Sequence, residues 1–594
     1  MKRMIAVFTA FASLSLGTLV LTAATDIASA VHDDAQLRAM VDEIGRAKAL
    51  QLNDLDKAYF VQYATSDASL TEIIASLGGL ISSNQLRLRH PTIEVRVGDY
   101  TFDNTDSVYS RTGRQGMLPI DDDYAVIRSH FWLSTDEVYK AATDQITRKR
   151  NALRDIAEPE QIPDFATAQP VQVIEKVRID KPDTRHWEDA LRSLSECFTS
   201  HSSVTGSSLR LQLVSSAYRI VNSEGTIVRI PQELAELSIM ASGLAKDGNR
   251  VWNHDFLTGL KGSDFPDPAQ LKEHVENVAA ETEALIKAPV AKEYTGPVLF
   301  EGEAAAEMMA QVLADAVRLD RKPIAPPGMS NPAPQMVDSV WSSKLGQKVT
   351  PEWMTLVDDP HESKYGSVTL AGNYDVDDEG VPAKRVTLVD KGVLRNYLSS
   401  RRPVGTIRAS NGHGRLPGAY SGEAAVIGNL FVQVDHPLPE SDMKSKLLEQ
   451  VKAAGLTYGL TIRRIDFPST ANLQELKAVA LLAQKNGYAR TLNSPILAYR
   501  VYLDGHEELV RGLRFKEFSA KELRTVDAAS DHPYVFNYVN NGSSFNLVAA
   551  STEATTSSVI CPSLLLDYAE LGRSENDEAG KLPLVPPPPL VVHH

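Results

Sequence analysis

Residues 296–319 read GPVLFEGEAAAEMMAQVLADAVRL, and this segment indicates how the second half of the chain is organised. From Gly302 to about Leu319 its apolar residues recur at intervals of three and four, which predicts an amphipathic helix. The predicted core stripe consists of Ala305, Ala306, Met308, Met309, Val312, Leu313 and Ala316. The polar residues spaced four apart should form the opposite, water-facing side: Glu303, Glu307, Gln311 and Asp315. Stacked carboxylates are also able to bind a hard cation, but we favour a solvated stripe over a metal site.

Around this helix the chain divides by pattern. Strand-like segments follow it, and Asp504-Gly505 between two of them is a strong hairpin signal. We therefore predict an α+β fold, with a mixed α+β N-terminal region at 31–240 and a β-rich C-terminal domain at 291–572. A connecting helical segment at 241–290 should join them, and a Pro-rich tail should occupy 573–594.

The N-terminal region carries two specific expectations. Helical periodicity from Asp34 predicts a helix to about Ser66. Alternation on either side of Pro91 predicts strands in which Arg87, Arg89 and Arg96 belong to a solvated sheet face.

The first thirty residues have the layout of a secretory signal peptide. A basic start is followed by an apolar stretch to about Leu21 and by Ala28-Ser29-Ala30, which suits cleavage after Ala30. An uncleaved membrane anchor is the alternative. With cleavage, we expect an exported periplasmic or extracellular protein without a membrane span, because no later run of eighteen apolar residues occurs.

Charge and cysteine content exclude several classes of protein. The net charge of −15 argues against sequence-independent nucleic-acid binding, which requires clustered Lys and Arg. The two cysteines, Cys197 and Cys561, do not form a C-x-x-C motif, so a thiolate zinc site of that kind is excluded. Two buried free thiols and one long-range disulfide both remain open.

One acidic cluster has the spacing of half a calcium loop. In Asp375–Gly380, carboxylates occupy positions one, three and five and a glycine occupies position six. The bidentate Glu expected at position twelve is replaced by Val386. We therefore interpret the cluster as a solvated hairpin turn.

The order of several segments resembles the TldD/PmbA family of metallopeptidases, also called modulators of DNA gyrase. The stretch Gly296–Ala306 resembles the entry to the family's zinc helix. Three later segments follow in the family's order: Asp377–Pro382, Lys391–Leu398 and Ser410–Arg415. Together with Val510–Gly512, 559–566 and 97–105, the likeness extends from about residue 40 to 572.

The resemblance implies a zinc site that this chain lacks. Catalytic members carry H-E-x-x-x-H on this helix, and the corresponding positions here are Ala310, Gln311 and Asp315. Neither zinc-binding histidine nor the general base is present, and Cys561 is a doubtful match for the family's zinc cysteine. No zinc or other cofactor is therefore predicted, and the likeness is closest to PmbA-like members without the motif.

Three functions are compatible with these observations. The leading hypothesis is a metal-free, PmbA-like subunit in peptide processing, paired with a zinc-bearing TldD-like partner or forming a homodimer. The enzyme alternative is a metallopeptidase with a rebuilt metal site that uses Asp315, Glu307 or the Asp375 cluster. The third is a secreted binding or scaffold protein.

Overall fold

A computed structural model describes residues 27–110, 116–154, 156, 161–328, 339–417, 423–467, 492–540 and 555–573. The fold is α+β, as predicted, with two main sheets. The helices are α1 Ala35–Ala47, α2 Tyr124–Leu153, α3 Thr184–Ser195, α4 Pro268–Lys287, α5 Gly302–Ala316 and α6 Glu440–Ala453. Most of the predicted signal peptide and of the Pro-rich tail lies outside these residues, so both remain predictions.

The first sheet has six strands in the described part of the chain. They are β1 Ala58–Ser76, β2 Gly79–Val97, β3 Gln172–Ile174, β4 Val204–Asn222, β5 Ile227–Leu244 and β6 Arg250–Gly259. Their order is β2-β1-β4-β5-β3, and β6 pairs with β5. The segment 241–290, predicted as a helical connection, thus contains strand β6 as well as helix α4.

The second half of the chain is β-rich. Its strands are β7 Tyr294–Phe300, β8 Met354–Asp358, β9 Lys364–Tyr365, β10 Val368–Thr369, β11 Val386–Asp390, β12 Val393–Leu394, β13 Gly414–Pro417, β14 Glu423–Ala425, β15 Asn429–Val434, β16 Tyr458–Ile465, β17 Pro495–Tyr502, β18 Glu507–Val510, β19 Leu513–Phe515, β20 Val526–Val539 and β21 Thr556–Arg573. Eleven of them form one sheet, ordered β12-β11-β8-β15-β21-β7-β16-β17-β18, with β19 and β20 on β21. The predicted hairpin at Asp504-Gly505 joins β17 to β18, as its turn residues require.

The predicted helix from Asp34 to Ser66 is wrong beyond its first part. Helix α1 begins after Asp34, whose carboxylate accepts hydrogen bonds from two backbone N–H groups of the first turn. It ends at Ala47, and Ala58 starts the long strand β1. The helical spacing of apolar residues therefore corresponds to a helix of only thirteen residues.

The solvated sheet face predicted for the arginines of β2 is also wrong. Arg89 and Arg96 are buried, and only Arg87 is partly exposed. The Arg89 guanidinium lies 2.7 Å from Asp67, and that of Arg96 lies 3.0 Å from Asp103. Buried charges persist when they are paired and hydrogen-bonded, and the partners come from other segments.

Helix α5 packs against the second sheet as its apolar stripe predicts. Met308, Met309 and Leu313 are fully buried, and Val312 is half-buried against the same core. This core includes Phe300 of β7, and Phe256 of β6 also packs against it. Because β6 belongs to the first sheet, the core around α5 extends to that sheet.

Candidate functional site

The local sequence fixes the start of helix α5. Strand β7 ends at Phe300, and Glu301 is the helix N-cap but makes no side-chain cap hydrogen bond. Gly302 adopts a positive φ of 38°, and its backbone N–H donates to the Ser563 hydroxyl at 2.9 Å. Helix α5 is thereby held to both β7 and β21.

The three positions of the family's zinc motif lie in the second half of α5. Ala310 is buried in the core and offers no ligand atom. The Gln311 amide donates to the Asp466 carbonyl at 3.4 Å and accepts the Asn493 N–H at 3.1 Å. The Asp315 carboxylate lies 2.7 Å from the guanidinium of Arg318, which is itself buried. Every polar group at these positions is thus engaged by the fold.

Cys561, the doubtful match for the family's zinc cysteine, is not available as a thiolate. Cys561 lies on β21, is fully buried, and its thiol contacts the Pro562 carbonyl at 3.2 Å. Burial raises the pKa of this thiol well above its usual value, so it remains protonated at neutral pH. Cys197 is also free, and burial together with Glu276 raises its pKa to about 11. The disulfide alternative is therefore wrong.

The predicted water-facing stripe of α5 is wrong at Glu303 and Glu307. Glu307 is fully buried, and one of its carboxyl oxygens accepts the Ile465 N–H at 2.7 Å. Its other oxygen has no hydrogen-bond partner among the described residues. Burial, with the neighbouring Glu303, raises the pKa of Glu307 well above its ordinary range. Glu303 is mostly buried and lies 3.2 Å from the guanidinium of Arg464.

Arg464 connects α5 to the first sheet. It stands near the end of β16, and its guanidinium also lies 2.9 Å from Glu281 of α4 and 3.2 Å from the Asn253 side-chain oxygen of β6. One guanidinium thus serves carboxylates from two helices. Periodicity did not indicate this role, although Arg464 is one of two adjacent arginines in a strand that also contains Leu460 and Ile462.

Strand β6 contributes two further titratable side chains, His254 and Asp255. Asp255 lies 2.7 Å from the His274 ring of α4, which lowers the pKa of the carboxyl against the effect of burial and raises that of the imidazole. His254 is buried and stacks on Phe256 with ring centroids 4.5 Å apart. Neither of its ring nitrogens has a hydrogen-bond partner in the described structure, and the Asp466 carboxylate lies 3.6 Å away.

The acidic cluster at Asp375–Gly380 is not the solvated hairpin turn that we predicted. Asp377 and Glu379 are buried. The Asp377 carboxylate accepts N–H groups of Glu379, Val381 and Gly414 at 2.8–3.0 Å. Glu379 accepts the Arg401 N–H at 2.6 Å, and burial raises its pKa to about 7. The oxygens thus bind the protein's own backbone.

The described residues contain no group of three or more His, Cys, Asp or Glu side chains placed to hold a metal ion. Neither Asp315, nor Glu307, nor the Asp375 cluster therefore belongs to such a group among the described residues. Among the described helices, none is both long and apolar enough to cross a membrane.

Comparison with known proteins agrees with the resemblance read from the sequence. Residues 292–463 match the PmbA/TldA metallopeptidase C-terminal domain. A metalloprotease of Methanocaldococcus jannaschii is 40% identical over 83 residues, which are 14% of this chain and 17% of that protein. One of Methanothermobacter thermautotrophicus is 25% identical over 187 residues, 31% of this chain and 37% of the relative. The matches thus span well under half of these relatives.

Solved structures extend the likeness of fold to almost the whole chain. TldE of Thermococcus kodakarensis superimposes with a TM-score of 0.54 at 13% identity, covering 90% of this chain and 100% of TldE. A proposed modulator of DNA gyrase from Bacteroides thetaiotaomicron gives 0.55 at 12% identity, covering 91% and 98%. The predicted resemblance to the TldD/PmbA family is confirmed.

Proposed function

We propose that this TldD/PmbA-like chain is a metal-free subunit of a peptide-processing system. The observation that carries the proposal is the state of the three motif positions. Ala310 is a core residue, Gln311 bridges two backbone groups, and Asp315 holds Arg318. Each side chain serves the packing of α5.

Zinc does not fit this donor set. A catalytic zinc needs three protein ligands with nitrogen, sulfur or carboxylate donors at about 2.0–2.3 Å. Only Asp315 has such a donor at the motif positions, and it is paired with a buried guanidinium. The buried thiol of Cys561 stays protonated. We derive no hydrolytic step through zinc in this chain.

If this chain is a metal-free subunit, another protein must carry out the peptide hydrolysis. We infer that a zinc-bearing TldD-like partner supplies the hydrolytic site, with a homodimer of this chain as the alternative assembly, and that the substrate is a peptide. The sequence layout to Ala30 supports export, so the processing would take place in the periplasm or outside the cell.

Peptide hydrolysis with and without a partner tests the proposal. The purified chain, a zinc-bearing TldD-like relative from the same genome, and their mixture should be incubated with a peptide library read by mass spectrometry. We expect no chelator-sensitive cleavage by the chain alone and a change in rate or product pattern for the mixture. Chelator-sensitive cleavage by the chain alone would refute the proposal in favour of a rebuilt metallopeptidase.

The Gln311→Ala variant provides the matched control. It removes two hydrogen bonds from the motif position without creating a metal ligand. If the chain acts only as a subunit, residual cleavage in its preparations should be unchanged by the substitution. A loss of this cleavage in the Gln311→Ala variant would mean that Gln311 contacts the substrate.

A further inference from the structure

The contact between the two main sheets contains an unusual excess of acid. Strand β6 and helix α4 contribute one side of this contact, and α5 with the end of β16 and with β20 contributes the other. We call this set of side chains the acid junction. Its members are His254, Asp255, His274, Glu281, Glu303, Glu307, Arg464, Asp466 and Tyr534.

Cations do not balance the carboxylates in the acid junction. Arg464 is its one permanent cation and is divided between Glu281 and Glu303. His274 is committed to Asp255. Glu307 accepts only a backbone N–H, so no cation lies within ion-pair distance of it among the described residues.

Unsatisfied polar atoms concentrate at the same place. Both ring nitrogens of His254, one oxygen of Glu307 and the Nε of Arg464 are buried without a hydrogen-bond partner among the described residues. Buried polar atoms are nearly always paired in stable proteins, so such a group calls for an explanation. Because the atoms come from β6, α5 and β16, the explanation concerns how the two sheets meet.

A second contact between the two halves of the chain lacks this imbalance. There, Asp164 lies 2.5 Å from Lys149 and 2.9 Å from Arg321. Asp106 faces Arg321 and Arg402. Asp103 lies beside them, since its N–H donates to Asp164, and its carboxylate is 3.0 Å from Arg96. Each of these carboxylates has a cation within ion-pair distance, whereas Glu307 in the acid junction has none among the described residues.

We propose that the acid junction is a proton-dependent latch, which holds the first sheet against helix α5 while Glu307 is protonated and loosens when Glu307 ionises. With its proton, the Glu307 carboxyl is neutral beside Glu303 and fits a site without a cation. Without it, two adjacent turns of α5 carry like charges inside the contact, and like charges in a desolvated site repel strongly. The latch therefore closes as the pH falls.

The directions of the pKa shifts agree with a latch that closes as the pH falls. Burial raises the pKa of Glu307 and of Glu303. The stability that depends on these protons is fully present below the pKa of unfolded glutamate, about 4.3, and is lost as the pH rises through the folded-state values. The His274 pKa is raised, mainly by its hydrogen bond to Asp255, so its contribution is fully present below the unfolded value of about 6.5 and is lost as the pH rises through the raised folded-state pKa. The Asp255 pKa is lowered, so its contribution fails only in strong acid.

Other buried carboxyls contribute in the same direction, so a pH profile of the native chain alone does not identify the latch. Burial raises the pKa of Asp164 to about 6 and that of Glu379 to about 7. The discriminating variant is Glu307→Gln, which keeps the size of the side chain and the acceptor for the Ile465 N–H and imitates the protonated carboxyl permanently. The matched control is Glu449→Gln on the exposed side of α6.

Thermal melting of the full chain between pH 5 and pH 9 tests the latch. We expect Glu307→Gln to reduce the fall of Tm across this range by at least ~3 °C relative to the native chain and to Glu449→Gln, a shift of the size that one buried group produces. Hydrogen exchange should show faster opening of β6 and α5 at pH 9 in the native chain but not in the variant. The same fall of Tm in all three proteins, whatever their absolute Tm, would overturn the proposal.

Discussion

The two halves of helix α5 differ in how their polar side chains are used. In its second half, Gln311 and Asp315 have hydrogen-bond or ion-pair partners and Ala310 is apolar. In its first half, Glu303 shares the Arg464 guanidinium with Glu281, and one oxygen of buried Glu307 has no partner among the described residues. The polar side chains in the half that corresponds to the family's zinc motif are thus bound within the fold, and the unsatisfied carboxyl oxygen of Glu307 lies one turn before Gln311.

The largest effect should come from removing the one permanent cation of the acid junction. Arg464→Ala would leave Glu281 and Glu303 without their shared partner, and breaking a buried ion pair in this way destabilises by about 3–5 kcal/mol. Urea unfolding at pH 7 measures the change. The control is Arg395→Ala, at an exposed ion pair, for which we expect about 0–1 kcal/mol. Equal changes would show that the junction is no more sensitive than the surface.

A cavity beneath the second half of the helix should have a comparable but smaller effect. Leu313 is fully buried in the main core, and Leu→Ala at such sites destabilises by roughly 2–5 kcal/mol. The same unfolding measurement applies, with partly exposed Leu319 as the control. Because Leu313 is an apolar side chain within the hydrophobic core, we expect its loss to be independent of pH. A pH-dependent loss would contradict the separation between the two halves.

Removing the bridge made by Gln311 should have a modest effect. Gln311→Ala loses one acceptor and one donor interaction with backbone groups, and a neutral hydrogen bond contributes about 0.5–1.5 kcal/mol. Thermal melting is sufficient to detect the change. A gain in stability would indicate that the residue is kept for function at the expense of the fold, as catalytic positions are.

The smallest effect should come from Asp315→Asn. This variant keeps a hydrogen-bond acceptor for the buried Arg318, which also lies 3.7 Å from Asp320. We expect a loss of about 1 kcal/mol or less, since only the charge assistance of one hydrogen bond is removed. A loss above ~3 kcal/mol in thermal or urea unfolding would show that Arg318 has no adequate second partner.

Local patterns predicted the elements of the fold, but they did not predict what covers them. The stripe containing Met308 and Leu313 and the turn at Asp504-Gly505 depend on neighbouring residues, and the structure confirms both. Glu307 is buried, and its carboxylate accepts the N–H of Ile465 in β16, 158 positions later in the chain. The spacing of residues within the helix does not indicate that contact.

The predictions for the buried charged residues were wrong for the same reason. Arg96 alternates with apolar residues as an exposed residue would, but Asp103 and Glu94 pair with it in the interior. Asp377 was interpreted as solvated, although backbone N–H groups as far away as Gly414 bind it. A single sequence shows which residues carry charge and does not show where their partners fold. The zinc prediction depends on residue chemistry alone and stays a prediction: Ala310 has no donor atom in any fold, and the amide of Gln311 is not among the nitrogen, sulfur and carboxylate donors typical of zinc sites.

Zinc content tests the central claim most directly. The full chain, purified without metal-binding tags, should be compared by mass spectrometry of its metals with a zinc-bearing relative prepared in parallel, and each melted with and without a chelator. We predict far less than one equivalent of zinc in this chain and an unchanged Tm with chelator, whereas the relative should lose both metal and stability. One equivalent of zinc that disappears in Asp315→Asn would contradict the account.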